Sequence, residues 1–140
     1  MASFEFLDHT GDAMFRARGG TLEEAIRSAA LAVASLIWDG APAGEREPRK
    51  VLVEGRSIEQ LVVRTLDEIV YLVETEGFLL SDVEGIRLGG EDGRLSLEAV
   101  FVGERITDRH GLRGGVKAVT YNQLTIERGD EVTIQVVVDV

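Results

Sequence analysis

FEFLDHTGDAMFRAR, the stretch from Phe4 to Arg18, decides how the rest of the chain is read. Phe4 and Phe6 flank Glu5, and Ala13, Phe15 and Ala17 alternate with Met14, Arg16 and Arg18. A period of two is what a half-buried strand requires, because successive side chains leave opposite faces. The segment predicts strand, polar turn, strand. Its turn, Asp8-His9-Thr10-Gly11-Asp12, sets two carboxylates, an imidazole and a hydroxyl beside a glycine. Gly11 permits the positive φ of a tight reversal, and Asp and Thr are ordinary turn residues. Two readings stand here: a plain hydrogen-bonded hairpin turn, the commoner outcome, or a carboxylate held at a strand end for a cation or a docking surface.

Downstream, Thr21-Leu22-Glu23-Glu24 reads as a capping box, with the Thr hydroxyl accepting from the N–H near Glu24 and Glu24 reaching back. Leu22, Ala25, Ile26, Ala29, Ala30, Val33, Leu36 and Ile37 then form one stripe on a helix of about four turns. Glu23 and Arg27 are spaced for an ion pair on its wet face. Asp39-Gly40-Ala41-Pro42 stops the helix, and Gly40–Pro48 reads as a surface loop. Val51–Val53 is a strand ended by Gly55. Ser57-Ile58-Glu59-Gln60 is a second capping box. Its stripe runs Ile58, Leu61, Val62, Leu66, Ile69, Val70 and Val73, with Gly77 as C-cap. Val63, Tyr71 and Leu72 lie off the stripe, so this helix is expected to be covered on more than one side.

Only strand signals follow: Phe78–Leu80, Val83–Leu88, Leu95–Val102, Val116–Thr120, Leu124–Glu127 and Glu131–Val138, separated by glycine-containing turns. Leu95, Leu97, Ala99 and Phe101 alternate with Ser96 and Glu98, the mark of an antiparallel sheet with one wet face. Two amphipathic helices among antiparallel strands, without regular strand–helix alternation, predict an α+β fold in which helices cover sheet.

The 140 residues fit one domain spanning 1–140, long enough for a sizeable core. There is no cysteine, which excludes disulfides, thiolate metal sites and cysteine nucleophiles. No signal peptide is visible, and the apolar run Ala29–Trp38 is about half of a membrane span, so a cytoplasmic protein without membrane contact is expected. Fifteen Lys and Arg against 25 Asp and Glu give a net charge of −10. That is the wrong sign for phosphate neutralisation, so no direct nucleic-acid binding is expected, whereas a basic protein partner or cations suit it. No run of Lys and Arg suggests a local basic patch. No GxSxG, P-loop, HExxH or dinucleotide fingerprint is present, and the expectation is a non-enzyme.

At the other end of the chain, Val132, Ile134, Val136 and Val138 point one way, and Thr133, Gln135, Val137 and Asp139 the other. Asp139 and the terminal carboxylate at Val140 place two negative charges within one residue, a repulsion that a hard cation relieves. A solvated Asp ending a strand is the commoner reading of Asp139 taken alone.

Three segments together resemble the archease family over essentially the whole chain. DHTGDAMFRARGGTLEEAIRSAALA is similar to the family's opening, with Gly11 where Ala is usual; the last strand ends in the apolar-Asp-apolar tripeptide; and Gly103-Glu104…Asp108-Arg109-His110…Val116-Lys117-Ala118-Val119-Thr120-Tyr121 is similar to the family's third segment. Asn122 stands where His is usual, and Gly111–Gly115 replaces a more charged stretch. The resemblance implies an α+β fold and a metal site made by Asp12, Asp139 and Val140, the last through backbone oxygen. Oxygen-only ligands suit a divalent cation, Ca²⁺ first and Mg²⁺ or Mn²⁺ after it. Asp8 and His9 are weaker candidates beside that site; a lone His next to a turn is more often structural than a ligand. Lys117 reads either as reserved for a partner or an anion, or as a snorkelling Lys on a wet face. The function implied is that of an accessory factor, which promotes guanylylation and repeated turnover of the GTP-dependent tRNA-splicing RNA ligase. A general chaperone or interaction module, or a metal-dependent hydrolase on the same Asp cluster, are the alternatives.

Overall fold

Alternation in the first hairpin is realised as two paired strands. The computed structural model describes residues 3–8 and 11–140. β1 (Ser3–Leu7) pairs antiparallel with β2 (Ala13–Gly19), placing Phe6 opposite Phe15 and Phe4 opposite Ala17. The remaining elements are α1 (Leu22–Ile37), β3 (Arg46–Gly55), α2 (Ile58–Glu76), β4 (Phe78–Glu91), β5 (Arg94–Arg105), β6 (Ala118–Arg128) and β7 (Val132–Asp139). The fold is α+β, and every strand pair is antiparallel. Two sheets form, one in the order β1-β2-β7-β6 and one in the order β3-β5-β4.

Both helices start where their capping boxes place them. The Thr21 hydroxyl accepts from the Glu24 N–H at 3.1 Å, and Glu24 returns to the Gly20 N–H at 2.8 Å. Ser57 and Gln60 repeat this at α2, where Gln60 reaches the Arg56 N–H at 2.8 Å. Gly77 ends α2 in the left-handed conformation, φ 62°, its N–H on the Leu72 and Val73 carbonyls. Each helix touches the other and both sheets: α1 packs on β1, β2 and β7 and on β4, while α2 packs on β6 and on β3, β4 and β5. α1 suits this enclosure by being apolar over most of its circumference. In α1, Ala25, Ala29, Ala30, Ala32 and Ala34 are all buried, and their small side chains permit close approach from several directions. Phe15, Ala17, Ile134, Val136 and Val138 supply the sheet side of this core without measurable exposure. Among the described residues no helix is long and apolar enough to cross a membrane.

Several expectations need correction. β3 begins at Arg46, inside the expected loop, and runs through Pro48; it is an edge strand, where a missing N–H costs no ladder bond. Phe78–Leu80 and Val83–Leu88 are one strand, β4, with register shifts between Leu80 and Asp82 and between Glu84 and Arg87. Likewise Thr120 and Leu124 belong to one bulged strand, β6, while Val116 and Lys117 precede it. Arg27 forgoes Glu23 and makes a two-point contact with Asp82 of β4, at 2.8 and 3.0 Å, tying α1 to the smaller sheet. A planar carboxylate on a neighbouring strand matches the guanidinium fork better than a flexible exposed Glu. Val63 and Leu72 are buried as expected of a multiply covered α2, but Tyr71 is 56% exposed.

Candidate functional site

β2 and β7 lie side by side, with Phe15 opposite Val136 and Ala13 opposite Val138. One further step in the same register sets Asp12 across from Asp139. Alternation gives Asp12 the face of Met14 and Arg16, and gives Asp139 the face of Val137 and Gln135, so the two acids share a side of the sheet. Both are half-buried. β6 holds the other flank of the tail: Ala118 is opposite Asp139, and the Lys117 N–H donates to the Asp139 carbonyl oxygen at 2.8 Å. The first hairpin and the end of the last strand, distant in sequence, thus come together.

Like charges directly opposite on an antiparallel pair repel, and a cation between them removes the penalty. Among the described residues no group of three or more His, Cys, Asp or Glu gathers where it could hold a metal. A cation at this edge would have the two carboxylates and main-chain oxygen to draw on. That donor set fits a hard ion such as Ca²⁺ or Mg²⁺. Since the Asp139 carbonyl already accepts from Lys117, Val140 is the next main-chain oxygen along the tail. Val140 lines a cavity of about 420 Å³ with Phe6, Ala13, Leu36 and Arg113.

Of the weaker candidates, Asp8 is exposed just beyond β1. Continued one step, the β1–β2 register sets it opposite Ala13, on the other parity from Asp12, so strand geometry does not bring it to the acidic pair. His9 lies outside the described residues. Lys117 is exposed in the link before β6, so the picture of a Lys interrupting an apolar strand does not hold; its main chain, rather than its ammonium, touches the tail.

The third segment builds a buried polar cluster around Glu104 and His110. Glu104, at the end of β5, is 1% exposed. Its Oε1 accepts from the N–H groups of Ala43 and Gly44, at 2.9 and 2.6 Å, and lies 3.1 Å from His110 Nε2. The Thr107 N–H donates to His110 Nδ1 at 3.0 Å, so Nδ1 is an acceptor and the ring proton sits on Nε2, aimed at Glu104. Burial works to raise the Glu104 pKa, but the hydrogen bonds from Ala43, His110 and Gly44 outweigh it and hold it below the ordinary value. Trp38 stacks edge-on to His110, ring centroids 5.5 Å apart, and donates Nε1–H to the Leu80 carbonyl at 2.8 Å. Gly103 lets β5 pass β4 closely, since a Cβ there would lie 2.1 Å from the Leu79 oxygen. The following stretch runs along the end of α1: Asp39 N–H donates to the Gly111 carbonyl, and Arg113 and Gly115 N–H donate to the Ile37 and Leu36 carbonyls. Arg113 also donates to the Ser35 carbonyl at 2.8 Å. α1 has no basic residue in its last turn, so this strap supplies both the partners and the positive charge its C-terminus lacks. The spacing Gly103-Glu104…His110 was the signal available in the sequence; the strap left none.

An antiparallel α+β fold that joins its first hairpin to its last strand through the β2–β7 ladder defines the class. A sequence model described as the Archease protein family matches residues 4–140, and the chain belongs to that family. The protein archease of Methanosarcina acetivorans is 36% identical over 139 residues, covering 98% of this chain and 95% of its own. That of Pyrobaculum neutrophilum is 34% identical over 142 residues, covering 99% and 96%. The solution structure of protein 1598 of Methanobacterium thermoautotrophicum superposes with a TM-score of 0.80 at 30% identity, covering 98% of both chains. A crystal structure from Thermotoga maritima, described as an archease and possible chaperone, shares the fold with a TM-score of 0.61 at 19% identity, covering 96% of this chain and 94% of its own.

Proposed function

We propose that this archease is an accessory factor for the GTP-dependent tRNA-splicing RNA ligase, promoting guanylylation of the ligase and its repeated turnover. A divalent cation held by Asp12, Asp139 and the Val140 backbone oxygen is the working part of this proposal. The register that carries Asp12 across from Asp139 is the observation that supports it. Strand pairing up to Ala13 and Val138 brings the chain segments bearing these two carboxylates to one end of the sheet, which lowers the ordering cost on docking. The cation supplies positive charge at that edge and a centre to which a partner's oxygen or nitrogen ligands can add. With a net charge of −10, the surrounding surface favours approach to a basic partner.

The test mixes the protein with purified ligase, GTP and Mn²⁺ and scores nucleotide bound covalently to the ligase. Stimulation by the native chain and its loss in folded Asp12→Ala support the proposal. Undiminished stimulation by Asp12→Ala contradicts the metal edge. Suppression of aggregation of unrelated proteins, insensitive to Asp12 and Asp139, would favour a general chaperone instead. Phosphoester hydrolysis by the protein alone would favour a hydrolase.

A further inference from the structure

The sequence contains no basic run, yet the fold assembles a basic cluster from distant positions. Arg56 in the β3–α2 link, Arg64 in α2 and Arg94 at the start of β5 line one cavity of about 450 Å³. Arg18, Arg27, Arg49, Arg87 and Arg105 each have a carboxylate within 4.0 Å, whereas these three have none among the described residues. The Arg64 guanidinium is held by the Glu54 carbonyl at 2.8 Å, which fixes its place without neutralising it. The Arg56 main chain is fixed by Gln60, also at 2.8 Å. Gly93 leaves the opposite wall open, since a Cβ there would meet nothing within 4 Å. Three guanidinium groups without a carboxylate partner on one cavity wall offer local positive charge to an anion, in a chain whose net charge is −10.

The lining narrows the ligand. No apolar or aromatic side chain faces the cavity, so nothing can stack on a base or hold an acyl chain. Several guanidinium forks side by side match several phosphate groups better than one carboxylate. Glu54 shares the cavity wall, and Glu59 of α2, Glu91 at the end of β4 and Asp92 of the β4–β5 turn lie within three residues in sequence of the lining residues Gln60, Gly93 and Arg94. An extended polyanion would have to pass this negative charge, whereas a compact one can stay on the arginines. The N-terminus of α2 is capped by Ser57 and Gln60, so the arginines rather than the helix end carry the site.

We propose that this cavity binds a compact oligophosphate, either inorganic or the phosphate chain of a nucleotide whose base is not read. The site is remote in sequence from Asp12 and Asp139, and the proposal stands independently of the ligase reading. Isothermal titration of the full chain with inorganic tripolyphosphate, ATP and GTP at low ionic strength tests it. Tripolyphosphate is expected to bind one site, with both nucleotides binding alike when their metal-free forms are compared. Affinity should fall by about tenfold for each of Arg56→Gln and Arg94→Gln, exposed positions where folding is checked by circular dichroism. Arg87→Gln, at a residue that lines a different cavity and is paired with Glu98, should leave binding unchanged. Absence of tripolyphosphate binding, binding insensitive to Arg56 and Arg94, or tighter binding of a single-stranded RNA 12-mer (a tract of about that length) would overturn the proposal.

Discussion

Removing the Glu104 carboxylate should cost more than any other polar truncation in the molecule. Glu104→Ala deprives His110, whose side chain has no measurable exposure, of its partner at 3.1 Å, and frees the Ala43 and Gly44 N–H groups. A buried polar group left without a partner costs about 1–3 kcal/mol, with His110 near the top of that range. The loop donors can turn to water and add about 1 kcal/mol between them. The sum is about 3–4 kcal/mol, in the range for truncating a buried, hydrogen-bonded charged group. With a urea m-value of about 1.5–2 kcal/mol/M, the midpoint should fall by about 2 M. Glu104→Gln retains an acceptor at the same place and should cost about 1 kcal/mol. Trp38 is the single tryptophan and touches His110, so its fluorescence follows unfolding from within the cluster. A Glu104→Ala midpoint within about 0.5 M of wild type, or equal losses for Ala and Gln, would refute the reasoning.

The same carboxylate sets an acid limb. Its folded pKa lies below the ordinary 4.5, so on acidification the unfolded chain takes up the proton first. Its contribution is complete above that pH and is lost as pH falls through the lower folded value, and Glu104→Gln should show a shallower acid limb in fluorescence-monitored unfolding. Asp67 has the opposite sign: burial raises its pKa above 3.8 despite the hydrogen bond from the Val119 N–H. Asp67→Asn, which keeps an acceptor, should therefore raise the melting temperature at neutral pH and lose that advantage below pH 4 or so. Gly103→Ala pushes a methyl group into the Leu79 carbonyl and the Phe78 ring, at 2.1 and 2.7 Å. Backbone there cannot yield cheaply, and destabilisation of about 3 kcal/mol or more is expected in urea melts.

Periodicity carried most of the architecture, because the helix stripes, their capping boxes and the alternation around Phe15 and Ile134 are local signals. The extent of β3 was not legible, since Arg46–Lys50 is charged and contains a proline; only its pairing with β5 makes it a strand. The division into two sheets is likewise a matter of which strands meet. At the acidic edge, Asp12 and Asp139 could be singled out individually, yet their opposition depends on β2 and β7 being neighbours. The arginine cavity was hidden for the same reason: Arg56, Arg64 and Arg94 lie on different elements, and each alone looks like an ordinary surface residue. Arg27 shows the converse, a local pairing rule overridden by a better-shaped partner across the fold.

Calcium-dependent thermal unfolding of the native chain, Asp12→Asn and Asp139→Asn tests the acidic edge most directly. The native chain should gain stability as Ca²⁺ rises, by about 2.7 kcal/mol at a hundredfold excess over the dissociation constant. Either substitution relieves the repulsion between the opposed acids, so without metal it should melt at or above the native temperature, and it should lose the response to Ca²⁺. Equal stabilisation of all three proteins by Ca²⁺ would contradict the account.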